Sequence, residues 1–123
     1  MDEYSEQRTG QGTDVPVVAL TGEIDLAVAP SLQKRLDLLL SRGSSTIVID
    51  LLGATFLDSI ALGVLVTTMD ECRKAGGDLH LVVTEPRILK VLKITGLADT
   101  FPIHSTRQES SAVQHSDGKE GQS

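Results

Sequence analysis

The sequence predicts an α/β domain in which helices cover one face of a mixed sheet. Segments rich in apolar or β-branched residues alternate with amphipathic segments of helical spacing, which is typical of strands connected by helices. Because the amphipathic segments are few, we expect them to pack on a single side of the sheet. The 123 residues suffice for one domain with polar tails but not for two domains.

The N-terminal part predicts at most two strands. Residues 1–14 are polar and contain turn-forming glycines, so they form either a flexible segment or a short edge strand over about 3–8. Residues 15–21 are rich in valine and predict a strand that leads into a turn at 22–25. Pro16 restricts the start of this strand to an edge or to its first position.

A first helix and a buried strand follow. The helix is predicted to begin at Pro30 and to end near Gly43, since proline suits the first helical position and glycine the residue after the last. Residues 46–51 are almost wholly apolar, which indicates a central strand buried on both faces. The predicted inward face of the helix consists of Leu32, Leu36, Leu39 and Leu40.

The second helix begins where two polar residues interrupt apolar sequence. Asp58 and Ser59 precede a helical pattern predicted to cover 59–75 and to end at the glycine pair 76–77. Either side chain can cap the free N–H groups of the first turn, and the positive end of the helix dipole tolerates added negative charge. The predicted inward stripe is Leu62, Leu65, Val66, Met69 and Cys72.

The C-terminal part predicts a short βαβ unit and a tail. Its predicted elements are a strand over 78–84, a helix from Pro86 to Gly96 and a strand over 100–104. We therefore place the folded domain at 15–105. Residues 106–123 are polar, bury too little apolar surface to become ordered, and are predicted to form a disordered tail.

Composition argues against several classes of function. The 17 acidic and 11 basic residues give a net charge of -6, and aromatic residues make up only 2%, which disfavours a nucleic-acid surface. Cys72 is the sole cysteine, so it cannot form an intrachain disulfide and is interpreted as a small buried side chain. The sequence contains neither a signal-peptide pattern nor a membrane-length apolar run, which predicts a cytoplasmic protein without membrane contact.

The sequence also argues against catalysis. Ser59 lacks the flanking glycines of a hydrolase nucleophile elbow, and no glycine pattern suits a phosphate-binding loop. Carboxylates such as Asp25 and Asp58 can act as acids or bases, but loop and cap hydrogen bonds are the ordinary explanation. We therefore predict no enzyme, metal or cofactor. Three histidines lack metal-ligand spacing and are interpreted as surface or edge residues: His80, His104 and His115.

Four segments together resemble the STAS domain of bacterial anti-sigma factor antagonists. They are Leu-Thr-Gly-Glu-Ile-Asp at 20–25, Ala-Pro-Ser-Leu at 29–32, Ile-Val-Ile-Asp-Leu at 47–51, and the stretch from Phe-Leu-Asp-Ser to Gly-Val-Leu at 56–65. The resemblance covers about residues 3–105. It implies a mixed sheet of four or five strands and the binding of an anti-sigma factor, often a serine kinase, which frees a sigma factor for transcription. It further implies that the kinase phosphorylates a serine or threonine at the start of the second helix, which breaks the complex, and that a phosphatase restores it.

The resemblance also implies a site. The usual phosphoacceptor is a second hydroxyl residue after Asp-Ser, where this chain has Ile60, so Ser59 is either the candidate acceptor or only a helix cap. We therefore hypothesise binding without phosphorylation control, by a monomer or weak dimer. The alternative is a scaffold or small-ligand-binding module of a larger signalling complex. The expected partner-binding residues are Gly22, Glu23, Asp25, Asp58, Ser59, Ile60 and Gly63.

Overall fold

The computed structural model describes the backbone of residues 4–8 and the whole of residues 15–108. The strands are β1 (Tyr4–Arg8), β2 (Pro16–Ile24), β3 (Ile47–Leu57), β4 (Leu79–Val82) and β5 (Ile103–His104). The helices are α1 (Ala29–Ser41), α2 (Ser59–Lys74) and α3 (Pro86–Ile94), and a single 3-10 turn covers Leu97–Asp99. Every predicted helix and strand therefore has a counterpart, including the edge strand near the N-terminus.

The strands form one five-stranded sheet in the order β1-β2-β3-β4-β5. The pair β1 and β2 is antiparallel, whereas the pairs from β2 to β5 are parallel. Each parallel pair is connected by a helix, as the βαβ arrangement requires. The predicted mixed sheet is confirmed, and β3 occupies its centre.

All three helices pack against the same side of this sheet. Alternate residues of the central strands point toward them, because successive side chains of a strand point to opposite faces. The prediction that the helices cover one face of the sheet is therefore confirmed. The resulting core joins the strand residues Val18, Leu20, Ile47, Ile49, Leu79 and Leu81 to the helix residues Leu32, Leu36, Leu65, Ile88 and Leu92.

Strands β2 and β3 are longer than predicted. The turn expected at 22–25 is strand as far as Ile24, and β3 continues to Leu57 instead of ending at Leu51. Two register shifts in the pairing accommodate extra residues on β3, which are β-bulges. At the first, a carboxylate oxygen of Asp50 accepts a 2.9 Å hydrogen bond from the Leu52 N–H. Strand β4 pairs only with residues 47–50 of β3. Beyond them β2 and β3 pair with each other alone and form a two-stranded ribbon, which runs from the pair Thr21 and Gly53 to the pair Ile24 and Leu57.

The opposite face of the sheet carries a second set of buried residues. Val15, Val17, Val48 and Val82 form a separate apolar cluster there. His80 is buried on the same face, where its Nδ1 lies 2.9 Å from Nε2 of His104 and the two rings stack. The prediction that these two histidines are surface or edge residues is wrong for His80, because the β5 histidine covers it. His115 lies outside the described residues.

The beginning of the predicted tail belongs to the described structure. Arg107 forms an ion pair through Nε with the buried carboxylate of Asp50 on β3. The prediction of a disordered tail is therefore wrong for residues 106–108, because Arg107 neutralises a carboxylate that would otherwise be buried unpaired. The rest of the predicted tail, 109–123, lies outside the described residues.

Candidate partner-binding site

The ribbon brings the two predicted site segments together. Ile24 and Leu57 are register partners at the ends of β2 and β3, and the Asp58 N–H donates a 3.1 Å hydrogen bond to the Ile24 carbonyl. One residue earlier in the ribbon, Glu23 pairs with Phe56. Segments more than 30 residues apart in the sequence therefore form one surface at the carboxyl end of the sheet.

Asp58 caps helix α2. Its backbone is extended, its Oδ1 accepts a 2.9 Å hydrogen bond from the Ala61 N–H, and its carbonyl accepts one from the Leu62 N–H. Asp58 thus satisfies donors that the helix itself leaves free. The alternative in which Ser59 serves as the cap is wrong, because Ser59 is already the first residue of the helix.

The Ser59 side chain is consequently available. It is exposed at the first position of α2, and within the part of the chain that the structure describes its hydroxyl has no hydrogen-bond partner. A phosphate on this hydroxyl would lie near the positive end of the helix dipole, where negative charge is tolerated. Because Asp58 is the cap, capping does not occupy the Ser59 oxygen.

Asp25 organises the neighbouring turn. Its Oδ1 accepts a 3.0 Å hydrogen bond from the Ala27 N–H, and its carbonyl accepts from the N–H groups of Val28 and Ala29 at the start of α1. Loop and cap hydrogen bonds thus account for this carboxylate and for Asp58. Both keep a negative charge at the site, where Glu23 adds a third and exposed one.

The segments that form this surface contain no cationic side chain. Residues 15–33 and 51–72, which contain the whole ribbon and the first turns of both helices, include no lysine, arginine or histidine. The surface is therefore acidic, and a partner with basic groups would complement it.

Large apolar side chains lie exposed among these carboxylates. Leu26 is 67% exposed, Ile60 54% and Phe56 44%, and the three lie in the turn after β2, the first turn of α2 and the end of β3. Ile60 was a predicted site residue, but Leu26 and Phe56 were not. The only signal for them in the sequence was their position next to predicted site residues. Exposed apolar side chains rimmed by polar groups are typical of protein interfaces.

Gly63 lies one turn after Ser59 on the exposed side of α2. A Cβ atom built on it would have no other atom within 4 Å, so packing inside the domain does not require a glycine there. The exposed residues of the first turns are uncharged, whereas the last turns carry Asp70, Glu71, Arg73 and Lys74. The uncharged half of the helix is thus the half that adjoins the apolar side chains.

Side chains suited to metal binding and side chains with strongly shifted pKa values were also located relative to this site. Within residues 15–108, no three histidine, cysteine or carboxylate side chains cluster as metal ligands would. Burial raises the pKa of the Cys72 thiol to about 11, which keeps it protonated and unreactive. Burial, together with the nearby His104, lowers the pKa of His80 to about 4. This histidine pair lies on β4 and β5 and not at the N-terminus of α2.

Comparison with known proteins decides the family. The model of the STAS domain family matches residues 7–110, which include every residue of the site. The chain belongs to the STAS domain family. An anti-sigma-B factor antagonist of Bacillus subtilis is 37% identical over 70% of this chain and 78% of its own length. The antagonist of Listeria monocytogenes is 30% identical over 79% and 85%.

A solved structure shares the architecture of this STAS domain. An anti-sigma factor antagonist from Mycobacterium paratuberculosis superposes with a TM-score of 0.77 at 29% identity, covering 90% of this chain and 94% of that one.

Within the described residues of the present chain, no helix combines the length and apolarity needed to cross a membrane.

Proposed function

We propose that this STAS domain is an anti-sigma factor antagonist that binds its partner at the N-terminus of helix α2 and the adjoining end of the ribbon. The observation that carries the proposal is the exposed apolar group Leu26, Phe56 and Ile60 set among the carboxylates of Glu23, Asp25 and Asp58. The names of the curated relatives support the class of partner. Binding would release a sigma factor by competition, which requires no chemistry of the antagonist itself.

The composition of the surface suggests the chemistry of its partner. Apolar side chains at the centre would supply the free energy of binding, since desolvated apolar contacts dominate most interfaces. The three carboxylates would favour arginine or lysine side chains on the partner and speed the encounter. The exposed Gly63 would allow close approach of the partner's backbone. We expect the antagonist to act in the cytoplasm as a monomer or weak dimer.

Regulation would act through Ser59 if the partner is a kinase. A phosphate there would add about two negative charges beside three carboxylates and next to the apolar contact of Ile60. Like-charge repulsion and the cost of burying a phosphate would dissociate the complex, and a phosphatase would restore it. Because Ile60 replaces the usual acceptor, Ser59 is the hydroxyl nearest to that position.

The binding surface can be tested with one substitution and a matched control. Ile60→Asp should lower the affinity for the cognate anti-sigma factor at least tenfold in isothermal titration calorimetry. Aspartate is well tolerated in the first turn of a helix, so the fold should persist. Leu38→Asp is the matched control, because it makes a similar change at an exposed leucine of α1, and it should leave the affinity unchanged. Equal affinities of both variants and the parent chain would contradict the proposed surface.

Phosphorylation can be tested by intact mass. Incubation with the anti-sigma factor and ATP should add one phosphate, and Ser59→Ala should abolish it. A protein that binds the partner and takes up no phosphate would support the competing hypothesis of binding without phosphorylation control. Phosphate on Thr67, the next exposed hydroxyl of α2, would contradict the assignment of Ser59.

A further inference from the structure

Helix α3 differs in charge from the rest of this acidic chain. Residues 86–95 contain Arg87, Lys90 and Lys93 and no carboxylate, although the whole chain has a net charge of -6. All three cationic side chains are exposed. Helix α3 thus presents a basic surface, whereas the surface at the N-terminus of α2 is acidic.

Two of these cations have no partner among residues 15–108. Arg87 donates through Nε to a carboxylate oxygen of Glu85 at 3.3 Å, and its backbone N–H donates to the same oxygen at 3.1 Å. These hydrogen bonds lower the pKa of Glu85. Lys90 and Lys93 are in no ion pair or hydrogen bond of the described structure. Their charges therefore remain available to a ligand.

The free lysines border an apolar groove. Pro86 and Leu89 line it together with Lys90 and Lys93, which are spaced as one stripe along the helix. Ile94 follows at the end of α3 and is 73% exposed, more than any other large apolar side chain of the described residues. The buried side of the same helix holds Ile88 and Leu92, so α3 is fixed to the domain while its outer side stays uncovered.

We propose that this α3 surface, formed by Pro86, Leu89, Lys90, Lys93 and Ile94, binds an acidic segment of a partner protein. Carboxylates of the segment would pair with the two lysines, and an apolar side chain between them would contact the groove and Ile94. A protein segment fits better than a membrane, because nine residues with a single strongly exposed isoleucine offer too little apolar area for insertion into lipid. The two surfaces of opposite charge would allow the domain to hold two different partner regions.

The proposal can be tested with a fluorescein-labelled peptide of glutamates with leucines at helical spacing. Titration of the ¹⁵N-labelled protein should shift the amide resonances of α3, and fluorescence anisotropy should show binding that weakens as salt rises. Peptides with glutamine for glutamate or serine for leucine should each bind at least fivefold more weakly. Vesicles of phosphatidylglycerol should not bind.

Two double variants of equal charge change provide the specificity control. Lys90→Glu/Lys93→Glu should lower the affinity for the peptide at least tenfold, whereas Lys34→Glu/Arg42→Glu on and after α1 should lower it less than twofold. All four side chains are exposed, so circular dichroism and the melting temperature should confirm intact folds. Equal losses in both variants, shifts outside α3, or binding of the vesicles in place of the peptide would overturn the proposal.

Discussion

The two halves of β3 differ in what they contribute. Residues 47–50 lie between β2 and β4 and are buried on both faces, so they form the centre of the core. Beyond them the strand pairs only with β2, contains two bulges, and exposes Leu52 and Phe56. One continuous strand therefore stabilises the fold with its first half and presents the candidate site with its second.

The polar groups of the two halves differ in the same way. In the inner part of the sheet, the carboxylate of Asp50 is paired with Arg107 and His80 is paired with His104. At the end of the ribbon, the Asp25 and Asp58 side chains accept from backbone N–H groups, and neither forms an ion pair with a cation of the described residues. The inner polar groups thus have partners within the protein, whereas the outer carboxylates remain available to a partner protein.

Adjacent leucines at the first bulge give the largest expected contrast. Leu51→Ala removes a fully buried side chain and should lower the free energy of unfolding by about 2 to 5 kcal/mol. Leu52→Ala truncates a side chain that is largely in solvent and should cost less than about 0.5 kcal/mol. Urea denaturation of both variants measures the difference, and equal costs would show that the bulge does not separate core from surface.

Acidification should destabilise the inner half through His80. Its pKa is about 4 in the folded protein, while the ordinary value of 6.5 applies to the unfolded chain. Between these values the unfolded state binds a proton that the folded state does not, so stability is full above pH 6.5 and falls as pH decreases toward 4. The loss should reach about 3 kcal/mol.

A variant separates this effect from the titration of carboxylates. His80→Gln removes the titrating group, so its stability should change less between pH 6.5 and pH 4.5 than that of the parent chain. Chemical denaturation at several pH values provides the comparison. Parallel pH profiles for the two proteins would show that His80 does not cause the loss.

The sequence predicted the helices well because their patterns repeat over many residues. Leucines at helical spacing and glycines after the last turns located α1 and α2 to within about two residues, and Asp58 was recognised at the start of α2. It did not predict the ribbon, because the apolar run at 46–51 indicated only the part of β3 that is buried on both faces. Pairing with β2 supplied what local sequence lacked.

The candidate site was predicted only in part for a similar reason. Charged and hydroxyl residues such as Asp58 and Ser59 indicate a surface directly, whereas Leu26 and Phe56 are apolar and suggest a core. Their exposure follows from the ribbon extending beyond β4, which is a tertiary feature. The buried position of His80 was missed because its cover, His104, lies 24 residues away.

Two glycines differ in whether the folded protein has room for a Cβ atom: Gly77 precedes β4, and Gly63 lies near the N-terminus of α2. At Gly77 a Cβ would lie 2.0 Å from the Ser45 carbonyl oxygen, so Gly77→Ala should destabilise the protein by about 1 to 3 kcal/mol. At Gly63 a Cβ meets nothing, so Gly63→Ala should raise helix stability by about 0.5 to 1 kcal/mol. Thermal denaturation gives both values. Weaker partner binding by the more stable Gly63→Ala variant would indicate that the partner needs this open space.

Asp58 combines a structural role with a charge at the site, and two variants separate them. Asp58→Ala removes the cap and should cost about 0.5 to 2 kcal/mol. Asp58→Asn keeps an oxygen that can accept from the Ala61 N–H, so its stability should change by less than about 0.5 kcal/mol. If the carboxylate attracts basic groups of the partner, the asparagine variant should associate more slowly at low salt, and the difference should shrink as salt rises. Stopped-flow measurements would show whether this end of the sheet contributes charge or only shape.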